Sequence, residues 1–222
     1  MFNKRISIFT GHFGSGKTEV AVNYAIKLSK FCDKVAIVDF DIVNPYFRAT
    51  DAKHDLENRG IWVVTPMYAD TNVDVPALPA EINTLFEKKE YKVVFDVGGD
   101  DLGAKVLSRY YNEIIADDYE MFFVINTRRP MTDTVEKIEE MLMDIEFSSR
   151  LKITALVNNT NLLQSTTADD IMEGRDIIGK ISCKFGIPIA FTSGFRSALQ
   201  PLEGKMDGPF MYMDKLIKLP WD

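Results

Sequence analysis

Eight consecutive residues, Gly11-His12-Phe13-Gly14-Ser15-Gly16-Lys17-Thr18, follow the spacing G-x-x-x-x-G-K-[ST]. They stand between the short apolar run 6–9 and a stretch in which Val20, Ala21, Tyr24, Ala25 and Leu28 recur at helical spacing. The order is therefore strand, loop, helix, and an accidental glycine-rich turn would not bring both flanks with it. Glycines at 11, 14 and 16 let the backbone aim several N–H groups at one point, and the helix adds the positive end of its dipole. Such a cradle suits a polyphosphate, with residues 11–18 all contributing to it. Lys17 would reach the β- and γ-phosphates. Thr18 would offer its hydroxyl to Mg²⁺, an ion that keeps several waters and takes few protein oxygens.

Apolar, β-rich runs recur at 6–9, 35–38, 61–64, 93–95, 121–125, 153–157 and 187–191. Most are nearly continuous rather than alternating, which marks strands covered on both faces of a parallel sheet. Helical patterns fill several gaps. The clearest comprises Val135, Ile138, Met141, Leu142 and Ile145, with Thr132 read as its N-cap and its methionines as core filler. The expected fold is α/β, a doubly wound and mostly parallel sheet of about seven strands with helices on both faces and the ligand site at the strands' carboxyl ends. At 222 residues and 46% hydrophobic content, one domain covering 1–222 is expected. The segment 68–79, rich in Asp, Pro and Asn, reads as a surface loop or lid.

A formal net charge of −7 argues against a dominant electrostatic attraction to nucleic acid or anionic lipid. Cys32 and Cys183 lack any C-x-x-C partner, so neither a zinc nor an iron–sulfur site is readable and a disulfide framework is not expected. No apolar stretch approaches the roughly 18–20 residues that span a bilayer. A cytoplasmic protein with neither a nucleic acid nor a membrane as its partner is expected.

Three further strand ends carry chemistry. The run 35–38 leads into Asp39-Phe40-Asp41, two carboxylates on one side of a strand tip, suited to supporting a metal and orienting water unless they are ordinary turn residues. Val93-Val94-Phe95-Asp96 ends a buried strand in a carboxylate and continues into Val97-Gly98-Gly99-Asp100-Asp101. Asp96 would hold Mg²⁺ through water, and Gly99 would let a backbone N–H swing onto the γ-phosphate. Asp100 and Asp101 would otherwise simply cap the next helix. Asn158-Asn159-Thr160-Asn161 closes another strand and points to base recognition or to a plain turn. Guanine-binding loops of the form N-K-x-D end in a carboxylate that accepts two donors from guanine. Asn161 occupies that place here, which favours adenine.

The strand–GHFGSGKT–helix unit, the VDFD strand end and the FDVGG element together resemble the MinD/ParA branch of the P-loop ATPases, over most of the chain and in order. The resemblance implies Mg-ATP as ligand and, in many members, a homodimer with nucleotide at its interface. It also implies roles: Asp39 supports the metal, Asp41 orients the attacking water, Asp96 is the Walker B acid and Asn158 contacts adenine. The family's loop is K-G-G-x-G-K-[ST]; here His12 stands where its first lysine would be. Slow hydrolysis follows, unless protonated His12 or a residue elsewhere replaces that charge. Arg128 or Arg129 would supply it, or they pair with nearby carboxylates.

Three functions remain in play at this level. One is an ATPase switch acting on a protein partner that the sequence does not name. The second is an ATP-dependent biosynthetic enzyme resembling dethiobiotin synthetase or cobyrinic acid amide synthase, in which the loop Tyr46 to Asp55, with Arg48, Lys53 and His54, would hold an anionic substrate unless it is a solvated switch loop. The third is a nucleotide-binding regulator that hardly hydrolyses. The stripe of Phe210, Met213, Leu216 and Ile217 is too short for a membrane-binding tail and is expected to pack on the body.

Overall fold

The computed structural model describes residues 2–40, 52–65, 80–99 and 101–217. In chain order these form β1 (Ile6–Thr10), α1 (Lys17–Leu28), β2 (Val35–Phe40), α2 (Lys53–Asn58), β3 (Trp62–Val64), α3 (Glu81–Glu87), β4 (Lys92–Val97) and α4 (Asp101–Ser108). There follow α5 (Tyr111–Ile115), β5 (Tyr119–Ile125), α6 (Val135–Ser149), β6 (Ala155–Asn158), α7 (Ala168–Phe185), β7 (Ile189–Phe195), α8 (Arg196–Leu199) and β8 (Phe210–Met213). The strands make one sheet in the order β3-β2-β4-β1-β5-β6-β7-β8. Every pairing is parallel.

Continuous apolar runs become these strands because both faces are covered. Ile6, Ile8, Val93, Phe95, Met121 and Phe123 face one core with α3, α4, α6 and α7. Phe9, Ile37, Val94, Phe122 and Val124 face the other, with α1 and α2. Each such side chain removed from water contributes about 1.5–3 kcal/mol before entropy is charged. The α1 face is anchored by Tyr24, stacked edge-on against Phe9 at 4.9 Å between ring centres. Burial pushes the Tyr24 phenol up to about 12, although Ser7 donates a hydrogen bond to it.

The parallel, doubly wound architecture is as expected, with an eighth strand added. Residues 210–213, read as part of a helical stripe, instead form β8 beside β7, from Thr192 opposite Phe210 to Phe195 opposite Met213. Spacing at 210, 213 and 216 mimics a helix, but Met211 and Met213 alternate inward and the segment is an edge strand. The N-cap of α6 is Thr134, which accepts from Lys137 N, and not Thr132. Thr132 is buried and donates its hydroxyl to Asn126 O at 2.7 Å. Strands β6 and β7 begin two residues later than their apolar runs.

Among the described residues no helix is long and apolar enough to cross a membrane. Cys32 and Cys183 are both free thiols.

Candidate functional site

Strand β1 ends at Thr10 and α1 begins at Lys17, so the glycine-rich loop bridges a strand's carboxyl end and a helix's amino end. Gly14 and Gly16 take left-handed backbone angles, φ of 76° and 81°. Gly16 caps α1 without any side-chain hydrogen bond, so no side chain competes there for the helix's first amides. Gly99 is needed for a different reason. A Cβ there would overlap the carbonyl of Gly11 and approach His12 N to 2.9 Å. The backbone that follows β4 therefore lies directly against the glycine-rich loop.

Among the polar side chains buried at this end of the sheet are Lys17 and Thr18 from α1, Asp39 from β2 and Asp96 from β4. Asp39 and Asp96 are register partners on adjacent strands, and Asp96 is also the partner of Phe9 at the end of β1. Adjacent positions in a sheet lie about 4.8 Å apart, so the two carboxylates stand side by side next to the loop. This donor set fits Mg²⁺, which is usually held by one or two carboxylates, water and phosphate oxygens rather than by a full protein cage. Among the described residues no group of three or more His, Cys, Asp or Glu side chains is placed to hold a metal ion. Asp41, and most of the loop with Arg48, lie outside the described residues. Lys53 and His54 open α2, and Lys53 pairs with Glu57.

A cavity of about 1040 Å³ opens from the loop toward the ends of β6, β7 and β8. Its walls include Gly14, Lys17 and Thr18 at one end and Asn161, Leu162 and Ala198 at the other. Phe13 sits at the rim, 57% exposed, and His12 holds its Nδ1 2.7 Å from the Phe13 carbonyl oxygen.

The asparagines divide their work differently from the expectation. Asn158 does not line the cavity. It is fully buried, donates to Ile171 O at 3.1 Å and accepts from Thr160 N at 3.1 Å, so its amide shapes the loop after β6. Asn159, which the sequence did not single out, donates to Ser15 O at 2.7 Å and accepts from Ser193 at 2.9 Å. It ties the phosphate loop to β7. A side chain on Gly16 would come within 2.5 Å of its amide nitrogen. Asn161 does line the cavity, with its amide nitrogen donating to Asn159 O at 2.7 Å.

Glu19 is a second residue invisible to motif reading. It lies one position beyond the loop, and its carboxylate accepts from Leu216 N at 2.8 Å and Ile217 N at 3.2 Å. One turn on, Asn23 accepts from Asp214 N and donates to Asp214 O. Residues 214–217 are thereby clasped to α1, and Lys215 and Ile217 from this strap line the cavity. Burial raises the Glu19 pKa above its ordinary value, against the pull of the two amides.

The two arginines after β5 part company. Arg128 is paired with Asp170 and Glu173 of α7. Hydrogen bonding to Glu173 raises its already high pKa further. Arg129 turns the other way, donating from Nε to Gly14 O at 3.0 Å, and lines the cavity beside Lys17.

No protein-family model matches the sequence, and neither does any curated protein sequence. Solved structures do match. The cell division protein FtsY of Thermotoga maritima is 19% identical, with a TM-score of 0.53 over 85% of this chain and 60% of that one. The signal recognition particle receptor FtsY of Elizabethkingia anophelis is 18% identical, with a TM-score of 0.52 over 85% and 57%. The signal recognition particle 54 kDa protein of Aeropyrum pernix, in complex with GDP, is 18% identical at 0.52 over 84% and 40%. The chain has the P-loop NTPase fold. It spans well under two thirds of the length of these three proteins.

Proposed function

We propose that this protein binds Mg-ATP and hydrolyses it slowly, acting as a MinD/ParA-type conformational switch whose nucleotide-bound form associates with a second copy or a protein partner. The observation that carries the reading is the meeting of the phosphate loop with the in-register pair Asp39 and Asp96 and with Gly99 packed on Gly11. Thr18, Asp39 and Asp96 are the residues that would hold Mg²⁺, which when bound would neutralise charge between the β- and γ-phosphates. Lys17 binds the same phosphates. Asp41 orients the attacking water. Gly99, free of a side chain, carries a backbone that follows the presence or absence of the terminal phosphate.

Adenine is favoured because Glu19 is the cavity's one acidic wall residue among the described residues, and its oxygens already accept two backbone amides. A guanine site needs a carboxylate free to accept the N1 and N2 donors. The GDP held by the 54 kDa protein supports a purine nucleotide in a cavity of this fold.

The test is titration calorimetry with Mg-ATP and Mg-GTP, followed by phosphate release from wild type and Asp41→Ala. Tight ATP binding by both proteins, with release lost only in the variant, is expected. Preference for GTP overturns the base assignment, and wild-type turnover by Asp41→Ala overturns its role.

A further inference from the structure

The loop between β5 and α6 is braced by one buried residue, through its side chain and its main chain. Asn126, at the end of β5, accepts through its side-chain oxygen from Arg128 N at 3.0 Å and from Asn161 N at 3.1 Å. Its amide nitrogen donates to Asn161 O at 3.0 Å. Its main-chain oxygen accepts from Arg129 N at 3.1 Å and from the Thr132 hydroxyl at 2.7 Å. Arg129 is thus fixed at its backbone by the strand end and by the wall that would face the base.

Its side chain is fixed as well. Nε donates to Gly14 O, and a Cβ built on Gly14 would lie 3.5 Å from that nitrogen, so the guanidinium lies along the phosphate loop. Among the described residues its other N–H donors have no hydrogen-bond partner, and no carboxylate stands within ion-pair distance. Arg128, one residue earlier, shows the contrast, because two carboxylates take up its charge. A half-buried, preorganised fork of donors with an unmatched positive charge, facing a cavity beside Lys17, is a site for an anion with several oxygens.

We propose that Arg129 is a polyphosphate clamp acting within its own chain, the cation that stands in for the lysine replaced by His12. The proposal rests on the nucleotide-binding reading above and adds a residue to it. Loading the charge in cis makes phosphate binding independent of a second subunit. Asn126 is the positioning residue, since it ties the clamp to Asn161.

Affinities of wild type, Arg129→Gln, Arg129→Lys and Arg128→Gln for Mg-ATP and for adenosine form the test, with melting temperatures confirming that each variant is folded. Arg129→Gln is expected to weaken Mg-ATP at least about 10-fold while leaving adenosine within about 2-fold, as fits loss of a charge-assisted contact to phosphate alone. Arg129→Lys restores part of the loss, and Arg128→Gln binds like wild type. Equal weakening of ATP and adenosine would reduce Arg129 to a prop for the loop and overturn the clamp. So would unchanged ATP binding by a folded Arg129→Gln. A wild type that binds no Mg-ATP sinks the functional reading and the clamp together, so the two failures are distinguishable.

Discussion

The two ends of the central strands are built from similar residue types put to opposite uses. At the amino ends of β1, β4 and β5, charges are spent on one another. Arg5 pairs with Asp117, Lys89 pairs with the same carboxylate, Lys4 pairs with Asp118 and Lys34 with Glu90. Lys92 donates to the carbonyls of Asn3 and Lys4. At the carboxyl ends, glycines bring main chain against main chain, Lys17 and Arg129 line a cavity, and Asp39 and Asp96 are buried side chains of adjacent strands. One end closes the fold with charge pairs, and the other is the edge at which parallel strands and helix amino ends would meet a ligand.

If that division holds, substitutions at the carboxyl edge should remove binding with little loss of fold. Lys17→Ala is expected to weaken Mg-ATP by about 100-fold or more, the scale of a lost charge-assisted contact in a desolvated site. Gly99→Ala should come next, because its methyl group has to displace the Gly11 carbonyl. Overpacking of this kind costs about 1–3 kcal/mol, and the displaced loop should lower affinity at least about 10-fold. Calorimetry paired with thermal melts checks both. A Gly99→Ala protein that binds normally would separate the segment after β4 from the phosphate loop and break the comparison.

The amino edge should answer in reverse. Side chains of Arg5 and Asp117 are only 11% and 10% exposed. Burial pushes the Asp117 carboxyl up, but hydrogen bonds from Arg5 and Lys89 outweigh it and hold the group well below its ordinary value of 3.8. A depressed folded pKa means that the stabilisation is present above pH 3.8 and is lost as pH falls through the lower folded value. Asp117→Asn should therefore cost about 3 kcal/mol at pH 7, the effect of stranding a buried guanidinium. The gap from wild type should narrow once pH falls below 3.8 and close only below the folded value. Nucleotide affinity should stay within about 2-fold, since the sites lie at opposite strand ends. Urea unfolding at pH 7 and pH 3, with one binding titration, decides it.

How legible each edge was in the sequence follows from how its contacts are distributed along the chain. The phosphate loop needs only eight adjacent residues, so its glycines, Lys17 and Thr18 declare themselves. Continuous apolar runs likewise exposed seven of the eight strands; β8 stayed hidden because four residues on a sheet edge carry too little pattern to separate period 2 from period 3.6. The segment after β6 is defined by tertiary contacts. Asn158, Asn159 and Asn161 look equivalent in sequence, and only folding shows that Asn158 is consumed by Ile171 and Thr160 while Asn159 braces Ser15. Glu19 meets Leu216 at a sequence separation of 197, and no local signal announces that contact. Arg128 and Arg129 are neighbours of one residue type, separated only by the acids that α7 presents to one of them.

The clasp at Glu19 offers the finest test, because it is a charged group at the carboxyl edge that behaves like neither class. Its carboxylate holds a strap rather than a ligand, and burial lifts its pKa above 4.5. A raised folded pKa favours the folded state below the unfolded value, and that advantage is lost as pH rises through the folded value. Glu19→Gln keeps an oxygen for Leu216 N and removes the titration. The variant should thus gain stability relative to wild type between pH 4 and pH 7, with a net change under about 1 kcal/mol for a swapped hydrogen-bond acceptor. Melting curves across that interval measure it. A difference that does not change with pH would mean that Glu19 is as hydrated as a surface residue and that the strap is not sealed onto α1. A pH-dependent difference would instead place a titrating latch on the wall of the cavity, one residue beyond Thr18.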